Sequence, residues 1–281
     1  MESRFVRVPF AAVATLLLSS AAFAQIYGPA SQGQRSPNDK KAAAAAPKPA
    51  YDPHDVSGVW AGQTGGYDVN ILNGVTWPNF TDNGKNIYQT HKPSAGPDGV
   101  APAFGNDPIG HCDPAGYPRD LYLNGRPFEF VQLPTKIWQI FEWDRSNREI
   151  WLDGRQIPED ADPRWYGYAV GHWDGNTLVV HTADFNDKTW LDRSGHPHDE
   201  NMTVDETFVH PDAMTLDDTM TITDPTVYVT PLVRKMQVFN LQLPKGVTEL
   251  REEYCVPSEE ESFNDNTRNR AAGTAKPVEV R

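Results

Sequence analysis

Groups able to bind an anion and move a proton crowd one stretch of this 281-residue chain, Arg164-Trp-Tyr-Gly-Tyr-Ala-Val-Gly-His172, with His181 following shortly after. Arg164 offers a planar fork of donors that suits a carboxylate or enolate, and equally a salt bridge to one of the chain's many acids. Tyr166 and Tyr168 can donate to an oxyanion or pack with their hydroxyls in water, while His172 and His181 add imidazoles able to carry a proton. A second group, Gly195-His196-Pro197-His198-Asp199-Glu200, sets two histidines beside acids. A carboxylate next to a histidine fixes its tautomer and raises its proton affinity, so His198 oriented by Glu200 suits general acid–base catalysis with His172 as the complementary group. In extended backbone His196, His198 and Glu200 share a side and make a weak alternative metal set, which Pro197 interrupts.

A third group, Gly105-Asn106-Asp107-Pro108-Ile109-Gly110-His111-Cys112-Asp113-Pro114, packs acids, a histidine and a cysteine between turn formers. It reads either as a loop across a cavity mouth that contributes His111, Asp107 or Asp113, or as a pinned turn whose Asp and Asn side chains cap local backbone. No Gly-x-Ser-x-Gly elbow, phosphate loop or dinucleotide fingerprint is present, and neither cysteine has a catalytic context. Proton transfer or simple binding is left, with no cofactor expected.

The elements that would position these groups are strands. Asp174-Gly175-Asn176 has the chemistry of a tight turn between two arms of aromatic and β-branched residues, which predicts a hairpin. Alternation sends Arg164, Tyr166, Tyr168, Val170 and His172 to one face and Trp165, Gly167, Ala169, Gly171 and Trp173 to the other. A two-residue loop adds Val179 and His181 to the Arg/Tyr/His face, whereas a three-residue loop with a bulge sends His181 to the opposite side. That polar face is either the lining of a ligand cavity or an outer wall in water.

Further strands are predicted at Val56–Trp60, Phe128–Leu133, Lys136–Trp143, Arg148–Leu152, Met202–Val209, Met214–Thr223, Arg234–Gln242 and Thr248–Val256, with turn formers between them and no convincing helix. The fold expected is all-β, an antiparallel up-and-down barrel with a long irregular N-terminal segment at residues 61–126. Gly58 two residues before Trp60 resembles the opening of lipocalin-like (calycin) barrels, in which the tryptophan closes one end.

Residues 1–24 have the form of a signal peptide, with Arg4 and Arg7, an apolar run through Leu18, and Ala22-Phe23-Ala24 as cleavage site. Residues 25–53 read as a disordered linker, 54–263 as the barrel domain and 264–281 as a flexible tail. Of 25 Lys+Arg and 38 Asp+Glu, residues 1–24 hold two and one, which leaves 23 against 37, or −14. That balance disfavours nucleic acid and anionic membranes as partners, and no later segment is apolar enough for insertion as a transmembrane helix. A periplasmic or secreted location is expected. In an oxidising compartment Cys112 and Cys255, the only cysteines, would pair; buried separate thiols are the alternative.

Taken together, Ser57-Gly58-Val59-Trp60, Gly105-Asn106-Asp107-Pro108, Asp162-Pro163-Arg164-Trp165-Tyr166-Gly167, Gly171-His172-Trp173, Pro197-His198 with Glu200, and Glu252-Glu253-Tyr254-Cys255 resemble a family of secreted bacterial lipocalin-like β-barrel proteins. The resemblance implies the barrel, export and the choice of His172, His198 and Glu200, and it implies no particular reaction. Asp199 stands where such sequences carry a small hydroxyl residue. The function expected is cofactor-free acid–base chemistry of lyase, isomerase or cyclase type on a small organic molecule, with Arg164, Tyr166, Tyr168, His181 and His111 binding it. The alternative is a periplasmic lipocalin-like carrier without catalysis.

Overall fold

A computed structural model describes residues 50–62, 76–122, 126–242 and 246–273. The signal-peptide reading, nearly all of the linker and the last residues of the tail fall outside them. Among the described residues nine strands close into a barrel: β1 Gly58–Gly62, β2 Phe128–Leu133, β3 Lys136–Phe141, β4 Asn147–Trp151, β5 Tyr168–Asp174, β6 Thr177–Ala183, β7 Thr203–Asp212, β8 Thr215–Thr223 and β9 Leu232–Asn240. Neighbours in sequence are neighbours in space, and β1 pairs with β9 to complete the circle. Alternation decides what faces inward. In β8 Leu216, Asp218, Met220 and Ile222 are buried while the residues between them are not. The barrel is therefore read off period-two burial, as a closed sheet requires.

One junction departs from the up-and-down pattern. β4 and β5 run parallel, through two register pairs, Ile150 with Ala169 and Trp151 with Val170. Parallel neighbours need a crossover, and residues 152–167 supply it. Gly167 ends the crossover at φ +64°, where a Cβ would lie 2.6 Å from Thr182 Cγ2 and 2.8 Å from Ala183 O. Only glycine lets the chain turn into β5 so close to β6.

The strand predicted at Thr248–Val256 does not form. β9 already closes on β1, so no edge is left for it, and the segment is held by other contacts instead. Arg145 Nη2 donates to Leu250 O at 2.8 Å, and the N–H groups of Arg251 and Cys255 donate to Glu142 and Asp144. Helical structure appears where none was expected: α1 at Asp82–Tyr88, N-capped by Thr81, and α2 at Pro257–Phe263, continued by helical turns through Ala271. Cys112 and Cys255 form a disulfide, the chemistry of an oxidising compartment. Among the described residues no helix is long and apolar enough to cross a membrane.

The barrel interior is apolar at most positions, with Trp60, Phe128, Phe130, Ile137, Phe141, Leu178, Val204 and Phe208 all buried. Into it is set a charged cluster. Arg148 of β4 donates from Nη1 and Nη2 to the two carboxylate oxygens of Glu206 of β7, at 2.9 and 3.2 Å, and from Nε to Gln139 at 2.7 Å. Tyr117 donates to the same carboxylate, and its ring lies 3.6 Å under the guanidinium. Burial, and next the Glu206 charge, push the nearby Asp218 carboxyl well above its usual range. An ion pair removed from water is tolerable only when its remaining hydrogen-bond capacity is met, and breaking it strands a charge. Arg148→Met should cost about 3–5 kcal/mol in urea unfolding. The double variant Arg148→Met/Glu206→Leu should cost less than Arg148→Met alone.

Candidate functional site

The hairpin turn is the two-residue form: Asp174 pairs with Thr177 around Gly175-Asn176, and Val170 pairs with His181. Tyr168, Val170, His172, Val179 and His181 therefore share a face, as a two-residue loop requires. It is the outer one. Their neighbours Ala169, Leu178, Val180 and Thr182 are the inward set, buried to 1% exposure or less. His172 is exposed, and His181 is exposed beside Asp205, with Nδ1 2.7 Å from Oδ1. The expected pairing of His172 with His198 as acid and base in one cavity fails on this ground, because strand alternation puts His172 and His181 in water.

His198 does not pair with Glu200 either. It is buried at 3% exposure, its Nε2 2.6 Å from Thr189 Oγ1, while Glu200 is exposed. Burial lowers the His198 pKa to about 4, so it is neutral rather than poised near pH 7. His196 stacks on Trp77 with centroids 3.6 Å apart and holds Asp192 at 2.8 Å. His196, His198 and Glu200 thus answer to different partners, and among the described residues no group of three or more His, Cys, Asp or Glu is arranged to hold a metal ion.

The other predicted binding residues do meet. Where β4 and β5 part, N-terminal to their two register pairs, a recess of about 270 Å³ opens in the wall. Arg164, Tyr166 and Tyr168 line it together with Trp138, Trp151 and Trp165. Arg164 is exposed, with its guanidinium carbon 4.9 Å from the Tyr168 ring. It is placed by backbone bonds to the chain after β6, donating to Asp184 O at 2.8 Å and accepting from Asn186 N at 2.9 Å. Lys136 and Arg155 cover the outer tryptophans: Arg155 lies 3.6 Å from the Trp151 ring, Lys136 4.5 Å from that of Trp138. Arg148 also lines the recess, and so belongs both to it and to the interior ion pair.

Behind the recess wall lies an acid the sequence reading passed over. Tyr166 donates to Asp120 Oδ2 at 2.8 Å, and Ser146 donates to the same oxygen. Asp120 is 3% exposed, and its Oδ1 has no hydrogen-bond partner among the described residues. Burial raises its pKa to about 7 against the two hydroxyl donors, which act to lower it. Burial and the adjacent Asp120 charge drive the Tyr166 hydroxyl upward as well, so it remains a donor. The arrangement is a proton-holding carboxyl reached from the recess through one phenol. His111 lies elsewhere, exposed on the wall of a separate cleft near the disulfide. Asp107 caps the turn Pro108–His111 and grips Arg119 through both oxygens, at 2.8 and 2.6 Å.

Comparison with protein-family models, with curated proteins and with solved structures finds no match for this chain.

Asp120 gives the site a pH signature. Its folded pKa is raised, so the native state holds a proton that the unfolded chain releases from about pH 4 upward. The stability this confers is complete below pH 4 and is lost as pH rises through 7. Asp120→Asn should remove that loss, on the order of 4 kcal/mol relative to wild type between pH 4 and 7. His198, shifted down, acts in the opposite sense between about pH 4 and 6.5 in both proteins. The difference between the two urea-derived stability curves therefore isolates Asp120.

Proposed function

We propose that this chain is an exported, periplasmic or secreted binding barrel that takes a small ring-bearing organic acid into the recess at the β4–β5 junction. The observation that supports this reading is the convergence of Arg164 with Tyr166, Tyr168, Trp138, Trp151 and Trp165 around one 270 Å³ space. Aromatic side chains supply a flat apolar surface for a ring at low entropic cost. Arg164 supplies the directional charge that prefers a carboxylate over a neutral isostere. Small-ligand sites have this composition, with apolar walls and a few convergent polar groups. The family resemblance drawn from the sequence, to secreted lipocalin-like barrels, is consistent with a carrier role and is part of the proposal.

A second reading is favoured by the Asp120–Tyr166 pair. In a cofactor-independent lyase or isomerase type of reaction, Tyr166 would donate to an oxyanion formed on the bound acid, and Asp120 would exchange the proton behind it. Arg164 keeps its binding role in both readings.

Tryptophan fluorescence separates them, since three tryptophans line the recess. Benzoate and hydroxybenzoates should quench emission saturably, and benzyl alcohol should bind at least tenfold more weakly. Arg164→Ala should weaken benzoate binding about 10- to 100-fold, the loss of a charge-assisted hydrogen bond. Equal affinity for benzoate and benzyl alcohol, or an unaltered Arg164→Ala protein, would overturn the reading. Turnover of a bound acid that Tyr166→Phe abolishes, with binding kept, would establish the catalytic one.

A further inference from the structure

A second cleft, independent of the recess, lies beside the disulfide. Its volume is about 390 Å³, and it is lined by Lys92, Arg119, Arg126, Arg193, Arg268 and His111, with Asp107 as the only lining acid among the described residues. The chain carries a formal charge of −13, yet five of its 25 lysines and arginines converge here. Gathering like charges costs energy unless something opposes the repulsion.

Two of the acids that oppose it lie outside the cleft lining, and one lies within it. Arg126 pairs with Glu253 and lies 4.8 Å over the Trp143 ring, and Arg268 pairs with Glu260 at 3.2 Å; neither glutamate lines the cleft. Arg119 is 2% exposed and fixed by both oxygens of Asp107, while its Nε has no hydrogen-bond partner among the described residues. The Lys92 side chain is exposed and has no acidic partner among them. The guanidiniums are thus pre-positioned, which lowers the ordering cost of a ligand that accepts from them. Asn264 and Asn269 add amide groups from the helical turns after α2. The disulfide joins the two walls: Cys112 follows His111, and Cys255 shortly precedes α2.

We propose that this cleft binds a small organic anion with two or more negative charges, carboxylate or phosphate. Arginine forks match both groups bidentately, and a multiply charged ligand is needed to meet several cations at once. The site differs from the aromatic recess in residues and in ligand class, and it stands whether or not the recess binds.

The test is isothermal titration of the full chain with citrate and, separately, with inorganic phosphate, at low and at moderate salt. Saturable binding of one citrate or one phosphate per chain is expected, tighter for citrate and weaker as salt rises. Lys92→Ala and Arg268→Ala should each reduce affinity about tenfold while the melting temperature stays within a few degrees, and Arg164→Ala should change nothing here. The double variant Cys112→Ser/Cys255→Ser, if its barrel circular-dichroism signal is native, should lose affinity because the two walls are no longer tied. No heat with either ligand, or equal affinity in wild type, Lys92→Ala and Arg268→Ala, would overturn the proposal. If Lys92→Ala fails to fold, Lys92→Gln with the same titration decides.

Discussion

The buried bidentate pair of Arg148 and Glu206 constrains everything around it. Neither charge can leave the interior without stranding the other, so β4 and β7 can each occupy only the register that brings them together. A slip of one residue in either strand would turn its charge outward and an exposed-face residue inward. Gln139, Thr182 and the Tyr117 ring then satisfy or cover what remains of the guanidinium. Three strands besides β7 thus meet at one guanidinium–carboxylate pair, along with a loop from outside the barrel.

That loop connects the interior to both surface sites. Tyr117 reaches in to Glu206, while its own N–H donates to Trp165 O in the crossover at 3.1 Å. Two residues later Arg119 faces the basic cleft, and the next residue, Asp120, meets Tyr166 behind the aromatic recess. A four-residue stretch therefore fixes an interior phenol, a cleft cation and a buried acid with one backbone conformation. The Asp120 N–H donates to Gly116 O at 2.9 Å, which tightens that turn.

The barrel was legible in the sequence because period-two alternation survives in a closed sheet, and all nine of its strands fall on predicted segments. The pairing of Cys112 with Cys255 was legible as one of two options. The face of the central hairpin was legible too, but not its direction: alternation says which side chains travel together and is silent on which side is inside. Tyr168 and His172 share a face, and only the neighbours Leu178, Val180 and Thr182 show that it looks outward. A signal for the interior charges was available. Glu206 stands in phase with Val204 and Phe208, and Asp218 with Leu216 and Met220, so each is a charge on an apolar face. Asp120 had no such marker, since it lies in an irregular segment where no periodicity distinguishes a buried acid from a solvated one.

The parallel junction between β4 and β5 also sets an order of assembly. Short turns join β2 to β3, β3 to β4, β5 to β6 and β7 to β8, so these neighbouring pairs can form locally. Joining them requires longer connections, residues 63–127 from β1 to β2, 152–167 from β4 to β5 and 184–202 from β6 to β7, and the closure of β1 on β9. Contacts of long sequence separation bear the larger loop-closure entropy and come late in folding. The aromatic recess lies at one of those joints, so no locally formed pair contains it. The space between these aromatic walls therefore does not exist until β4 and β5 have met, and a nascent copy that stops short of β5 would lack it.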